Sequence, residues 1–186
     1  QSLRMIQFEM WEPGLIENVT ISNISGRCLT PTPDVPMEKP IYMDIQHHGR
    51  SDGRLGHIRN VVISGITATT RGRCVLTAAE GAHMEDISIS DVLLDYPEVD
   101  DTPALATIAR SMQNANDNPA ARAAPAVLVA ENIHRLRLTG LHARLPAAGA
   151  GVPAVHGLWL RGIRQALIDC PWLLGNDPAL ACLVQD

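Results

Sequence analysis

A phrase of nine residues returns along the chain: Ile16 to Ile24 (Ile-Glu-Asn-Val-Thr-Ile-Ser-Asn-Ile), Ile58 to Ile66, Met84 to Val92 and, less faithfully, Ile133 to Leu141. A weak fifth copy runs from Ile163 to Ile168. Each phrase carries apolar side chains at its first, fourth, sixth and ninth positions, with Asn, Asp, Ser, Thr and Gly prominent between them. The fourth and sixth positions lie two apart and so share one face of an extended strand. The ninth lies three beyond the sixth, which breaks the alternation and predicts a bend at Asn23, Gly65, Asp91 and Gly140. These residue types tolerate the left-handed backbone that such a bend requires.

Further short apolar runs bounded by turn residues fall between the phrases: Pro40 to Ile45, Cys74 to Leu76, Pro125 to Val129 and Gly157 to Leu160. They supply a second strand for each repeat. A unit of roughly 20 to 30 residues, interrupted by longer inserts, is the signature of a solenoid. The predicted fold is all-β, a parallel β-helix. A β-sandwich of irregular hairpins is the competing reading, but hairpins do not require one phrase to return in one order. The one stretch with helical periodicity is Pro103 to Met112. The chain reads as a single partial domain over residues 1–186: well-matched rungs over 1–97, a loop insertion over 98–125 and terminal rungs over 126–186.

Two inserts stand out. Pro31 to Pro40 holds four prolines and predicts a stiff, extended excursion. Tyr96 to Pro125 is long and rich in Asp, Asn, Ala and Pro. Solenoid insertions gather on one face, where they wall a binding groove.

Composition narrows the function classes. With 186 residues, 46% of them hydrophobic, the chain can bury a real core. A net charge of −5 leaves no basic footprint for nucleic acid. Aromatic residues make up only 3%, which suits a narrow interior of stacked aliphatic side chains and not a platform for bases. No apolar run is long enough to cross a bilayer and no signal peptide opens the chain. The first residue is Gln1, and Leu3-Arg4-Met5-Ile6 already reads as a strand with no cap before it, so the expectation is the C-terminal part of a longer solenoid. Cys28, Cys74, Cys170 and Cys182 lack zinc-site spacing. They are read as buried free thiols or, for Cys170 and Cys182, as a disulfide. No cofactor or metal is expected.

The order of elements resembles the C-terminal half of the polygalacturonase-like glycoside hydrolases, family 28. The matching stretches are Leu3-Arg4-Met5, Gly14 to Ile24, Pro40-Ile41-Tyr42-Met43, Ile58 to Val61 and Met84 to Ile87, together covering most of Leu3 to Pro97. Tyr96-Pro97-Glu98 is similar to a phrase of bacterial members, and residues from Ala126 onward resemble terminal rungs loosely. The resemblance implies a right-handed parallel β-helix and inverting hydrolysis of a pectin-like polysaccharide, in a parent protein that is secreted or periplasmic. It also implies that the catalytic aspartates and the Gly-His-Gly histidine lie on rungs before Leu3, so the catalytic residues of this chain are unknown. Leu55-Gly56-His57-Ile58 lacks the second glycine, and His57 is read as a turn residue. Arg4 falls where the family's motif arginine falls. The motif lysine then corresponds to Ile6, which cannot bind a carboxylate, and this points either to a neutral or differently decorated glycan or to a degenerate site.

Strand parity adds candidates independent of that resemblance. If Ile41, Met43 and Ile45 point inward, Tyr42 and Asp44 point outward, and the same parity at Leu3 and Met5 puts Arg4 outside. Arg4, Tyr42, Asp44, His47 and His48 are therefore the substrate-binding candidates. Each has a plainer alternative: Arg4 with Asp44 as an exposed ion pair, Tyr42 as surface cover, and His47-His48 as a solvated turn, since adjacent strand residues face opposite ways. Trp11 either stacks on a sugar ring or plugs its loop. Asp100-Asp101 and Asp34 with Glu38 read as solvated loop charges. A non-catalytic carbohydrate-binding or adhesive β-helix is the alternative function. The oligomeric state is open.

Overall fold

The structure, a computed structural model, describes residues 4–29, 38–47, 54–99, 120–121, 124–149, 152–176 and 182–185. Among the described residues the eleven elements are all strands: β1 (Arg4–Met10), β2 (Leu15–Cys28), β3 (Lys39–Ile45), β4 (His57–Thr70), β5 (Cys74–Ala78), β6 (His83–Asp95), β7 (Ala126–Glu131), β8 (Ile133–Arg144), β9 (His156–Arg161), β10 (Arg164–Asp169) and β11 (Cys182–Gln185). The odd strands form sheet A, in the order β1-β3-β5-β7-β9-β11, and the even strands form sheet B, β2-β4-β6-β8-β10. Every pairing between them is parallel. The chain thus alternates between two parallel sheets, advancing one strand in each per repeat, in keeping with the solenoid expected from the repeated phrase. Pro103 to Met112 and most of the two long inserts lie outside the described residues.

The repeated phrase is sheet B, and its apolar positions stack from rung to rung. Ile58, Val61, Ile63 and Ile66 pair in register with Met84, Ile87, Ile89 and Val92, and these with Ile133, Leu136, Leu138 and Leu141. All twelve are buried in one core with Ile41, Met43 and Ile45 of sheet A. A buried aliphatic side chain contributes about 1.5–3 kcal/mol relative to its exposed state, so this column of Ile, Val, Leu and Met is the main source of cohesion. The flanking strands β2 and β10 have one neighbour each within sheet B, and their apolar residues are correspondingly more exposed.

Two bends, not one, shape sheet B. Asn23, Gly65, Asp91 and Gly140 have φ between 54° and 64°, at the bend that the sixth-to-ninth spacing predicts. A second left-handed column passes through Asn18, Asn60, Asp86, Arg135 and Gln165, with φ between 51° and 62°. In the predicted column an Asn or Asp side chain lies over a glycine of the next rung. A Cβ on Gly65 would stand 2.8 Å from Asn23 Oδ1, and one on Gly140 3.1 Å from Asp91 Oδ1. Asx and glycine therefore alternate for two reasons at once: the backbone angle and the space the neighbouring side-chain oxygen occupies. In the other column side chains tie successive rungs together. Asn60 Nδ2 donates to Asn18 Oδ1 at 2.6 Å, and Arg135 Nη2 to Asp86 Oδ2 at 2.6 Å.

No helix among the described residues is long and apolar enough to cross a membrane. Cys28, Cys74 and Cys170 are free thiols, the first two buried. The side chain of Cys182 lies outside the described residues, and with it the disulfide alternative for Cys170 and Cys182.

Candidate functional site

The outward face of sheet A carries two columns of side chains, because parallel in-register strands stack equivalent positions about 4.8 Å apart. One runs Gln7, Tyr42, Val75, Val129, Trp159; the other runs Glu9, Asp44, Thr77, Glu131, Arg161. Arg4, Tyr42 and Asp44 meet at its first two strands, which are adjacent in the sheet. The Arg4 guanidinium lies 4.5 Å from the Tyr42 ring centroid, and the Lys39 ammonium lies 4.9 Å from it. Tyr42 Oη donates to Asp44 Oδ2 at 2.7 Å, Thr77 Oγ1 donates to Asp44 Oδ1 at 2.6 Å, and Gln46 Nε2 also donates to Oδ2.

This packing changes how two of the candidates are presented. Tyr42 and Asp44 do face away from the core, but they are 3% and 1% exposed and do not form an open strip. Two cations bracket the Tyr42 ring, and Asp44 is enclosed by hydroxyl and amide donors from its own strand end and from the next rung. Both Asp44 oxygens are engaged, so the carboxylate ties β3 to β5. His47 is half-buried just beyond β3, and His48 lies outside the described residues.

In β1, Met5 packs against the core and Arg4 lies against Tyr42, as the expected parity has them, but strict alternation does not run on from there. Ile6 is buried in the core and paired with Ile41, while Gln7 and Glu9 take the outward positions. The position that the resemblance matches to the motif lysine, Ile6, thus faces the core, and Gln7 beside it is on the outward face. The alternation Ile6, Phe8, Met10 carried the signal, whereas Leu3 to Ile6 is too short to fix the phase. Gln7 Nε2 donates to Glu9 Oε2 at 2.6 Å, and Arg4 Nη1 lies 3.4 Å from the same oxygen. These residues adjoin an open cleft of about 650 Å³ at the β1–β2 corner, lined by Gln7, Glu9 and Trp11 among others. Trp11 is 40% exposed, which suits an apolar wall of that cleft better than a plug. Gln7 and Glu9 are the site residues that strand parity on Leu3 to Ile6 missed.

Farther along, Glu131 is fully buried, with Arg161 Nη2 donating to its Oε1 and no hydrogen-bond partner on Oε2 among the described residues. An unsatisfied buried acceptor costs on the order of 1–3 kcal/mol. Arg161 in turn lies over Trp159, 5.6 Å from the ring centroid. One loop-charge expectation is corrected here, that for Glu38. Glu38 is buried and paired with Arg71 Nη2 at 2.6 Å, while Asp34, Asp100 and Asp101 lie outside the described residues. His57 is no turn residue either: it opens β4 and holds Glu85 Oε1 at 2.9 Å.

Cys28 and Cys74 offer no nucleophile. Burial pushes Cys28 up to about 11 and Cys74 up to about 12, so both remain protonated near neutrality. Among the described residues no three His, Cys, Asp or Glu side chains come together as a metal-binding group. What the face of β1 and its corner can do chemically is position a polar ligand: a carboxamide, a carboxylate and an indole line one cleft, and the Arg4 guanidinium adjoins that carboxylate. A scan against protein-family models and searches of curated proteins and solved structures found no match to the chain.

Proposed function

We propose that the chain is the C-terminal portion of a right-handed parallel β-helix glycosidase of the polygalacturonase-like type, acting with inversion on a pectin-like or related polysaccharide. The observation that carries this reading is the outward cluster on β1 and its corner, Arg4, Gln7, Glu9 and Trp11, on the face and at the end of sheet A that upstream rungs would extend. In this reading the acid that protonates the leaving oxygen and the base that activates water stand on rungs before β1. Arg4 and Gln7 then hold sugar hydroxyls or substituents, and Trp11 offers a ring face. Gln7, a neutral donor and acceptor, favours a neutral or only partly acidic glycan at this position. The parent protein is proposed to be secreted or periplasmic.

The test is release of reducing ends from pectic polymers by the protein that includes the residues preceding Gln1, beside this chain alone. The expected result is turnover by the longer protein, no turnover by this chain, and a raised KM in Arg4→Ala. Turnover by this chain alone, retained in Arg4→Ala, would overturn the assignment.

A second reading, a non-catalytic carbohydrate-binding β-helix, is favoured by the state of the acids on sheet A. Glu9 is held by Arg4 and Gln7, Asp44 by three donors and Glu131 by Arg161. It predicts glycan affinity without hydrolysis in the longer protein.

A further inference from the structure

A small apolar cluster stands apart from the main core, on the outward face of sheet A. Ala121, Ala124 and Ala126 pack there with Val129 and Trp159, which are register partners on β7 and β9, and Ala120 adjoins them. Val129 is wholly buried and Trp159 is 3% exposed, although both lie on the side of the sheet that points away from the core. Their cover is the short stretch that leads into β7, of which residues 120–121 and 124–125 are described.

This cover is thin. It brings alanine methyls to the cluster, and an alanine removes far less apolar area from water than the Ile, Leu and Met side chains that fill the main core. Its end is fixed at Pro125, whose carbonyl accepts from His156 N at 2.7 Å. Before that point its backbone bonds are local, from Ala124 N to Ala121 O at 3.3 Å and from Ala126 N to Ala124 O at 3.0 Å. Among the described residues one hydrogen bond ties this part to another rung, from Arg73 Nη1 to the Ala124 carbonyl.

Arg73 comes from the turn between β4 and β5, and that turn is held in place. Gly72 N donates to Thr70 Oγ1 at 3.1 Å, and a Cβ on Gly72 would fall 1.8 Å from the Glu38 carbonyl oxygen, so only glycine lets the turn lie this close. Beside it Arg71 Nη2 donates to the buried Glu38 carboxylate at 2.6 Å and Arg71 Nη1 to Glu98 at 3.0 Å. One turn therefore grips the first insert at Glu38 and the second at both Glu98 and Ala124.

We propose that the stretch ending at Pro125 is a strap that lifts from sheet A without unfolding of the solenoid, with Arg73 as its clasp, and that lifting uncovers Val129 and Trp159. Local opening selects segments with few buried apolar contacts, and the strap is such a segment beside a core of stacked aliphatic columns. The outward face of sheet A then has two states at β7 and β9. One is closed by alanines; the other presents an indole beside the Arg161 guanidinium, which lies 5.6 Å from its ring centroid. This assignment does not rest on the hydrolase reading and stands equally for a non-catalytic protein.

The test is thiol labelling of the full chain carrying Val129→Cys, in rising urea below the unfolding transition, with the labelled sites read by peptide mass spectrometry. Cys74, 1% exposed and part of the main core, reports global unfolding in the same sample. The expected result is labelling at position 129 well ahead of Cys74 and with a weaker dependence on urea, because lifting the strap exposes little surface. Arg73→Ala should speed labelling at position 129 roughly tenfold, as loss of one hydrogen bond from a charged donor does, and affect Cys74 much less. Equal rates and equal urea dependence at the two sites would overturn the proposal, and so would an Arg73→Ala effect of the same size at both. Trp159 gives a second reading without a new thiol. In the chain with Trp11→Phe and Trp172→Phe, both at exposed positions, its native-state emission should be quenched by acrylamide, and more strongly after Arg73→Ala. Quenching that appears only with global unfolding would overturn the proposal as well.

Discussion

The outward faces of the two sheets carry similar side chains and treat them oppositely. On sheet B the outward row Glu17, Arg59, Glu85 stays in contact with water, and Arg59 Nη2 pairs with Glu17 Oε2 at 2.6 Å while 45% exposed. On sheet A the outward residues Tyr42, Asp44, Thr77 and Glu131 are almost wholly buried. Part of the cover is a small apolar cluster in which Ala121, Ala124 and Ala126 pack with Val129 and Trp159, and Arg73 Nη1 donates to the Ala124 carbonyl. Alternation along a strand therefore decides which side of the sheet a residue takes. It does not decide whether that side meets solvent, which depends on what the insertions lay across it.

Energetics should follow the same division. Asp44→Ala removes the acceptor for Tyr42, Thr77 and Gln46 and leaves buried donors unpaired, with an expected loss of about 3 kcal/mol in urea unfolding. The corresponding change on the open face, Arg59→Ala, is expected to cost under about 1 kcal/mol, because an exposed pair is screened by water and salt. Equal losses in the two variants would erase the distinction between the faces.

An intermediate effect is expected at the bend of sheet B. Gly65→Ala forces a Cβ onto a residue with φ 64° and within 2.8 Å of Asn23 Oδ1. The left-handed backbone alone costs an alanine roughly 1–2 kcal/mol. The double change Asn23→Gly with Gly65→Ala removes the contact but not the backbone penalty, so part of the loss should return. No recovery would mean that the Asx side chain does not set the spacing there.

The smallest expected effect concerns acid. The Arg135 guanidinium hydrogen-bonded to Asp86 holds that carboxyl below its usual range. A depressed folded value means that the contribution is present above the ordinary carboxylate value and is lost as pH falls through the folded one. Asp86 is exposed, so the change in stability is small, and the sensitive measurement is its carboxyl titration by NMR. Arg135→Ala should return Asp86 to the ordinary range. An unchanged titration would mean that the pair is not formed in solution.

Much of this architecture is legible in the sequence, for a physical reason. Apolar spacing of two and three residues records face and bend, and the sixth-to-ninth interval located the column at Asn23, Gly65, Asp91 and Gly140. The first-to-fourth interval is also three, and by the same logic it marks the column at Asn18, Asn60 and Asp86. There Arg135 and Gln165 take a left-handed backbone that their residue types do not advertise. The short runs at Ile41, Val75, Val127 and Leu158 did mark the strands of sheet A. The site was less legible. Arg4 and Tyr42 were brought together as their common sheet implies, but the cover over Tyr42 and Asp44 and the inward phase of Ile6 depend on contacts distant in sequence. A recess at the corner between the two sheets was illegible altogether, since Glu131, Arg161, His83 and Arg164 line it only when three turns of different length are stacked.

The central functional claim, that this face belongs to an inverting glycosidase, is tested most directly by the anomeric configuration of newly released reducing ends. Proton NMR of the first turnover of a pectic oligosaccharide by the protein that includes the residues preceding Gln1 reads it directly. The account predicts a product anomer opposite to that of the cleaved linkage, with mutarotation following more slowly. Retention of configuration, or binding of the oligosaccharide without any cleavage, would contradict it.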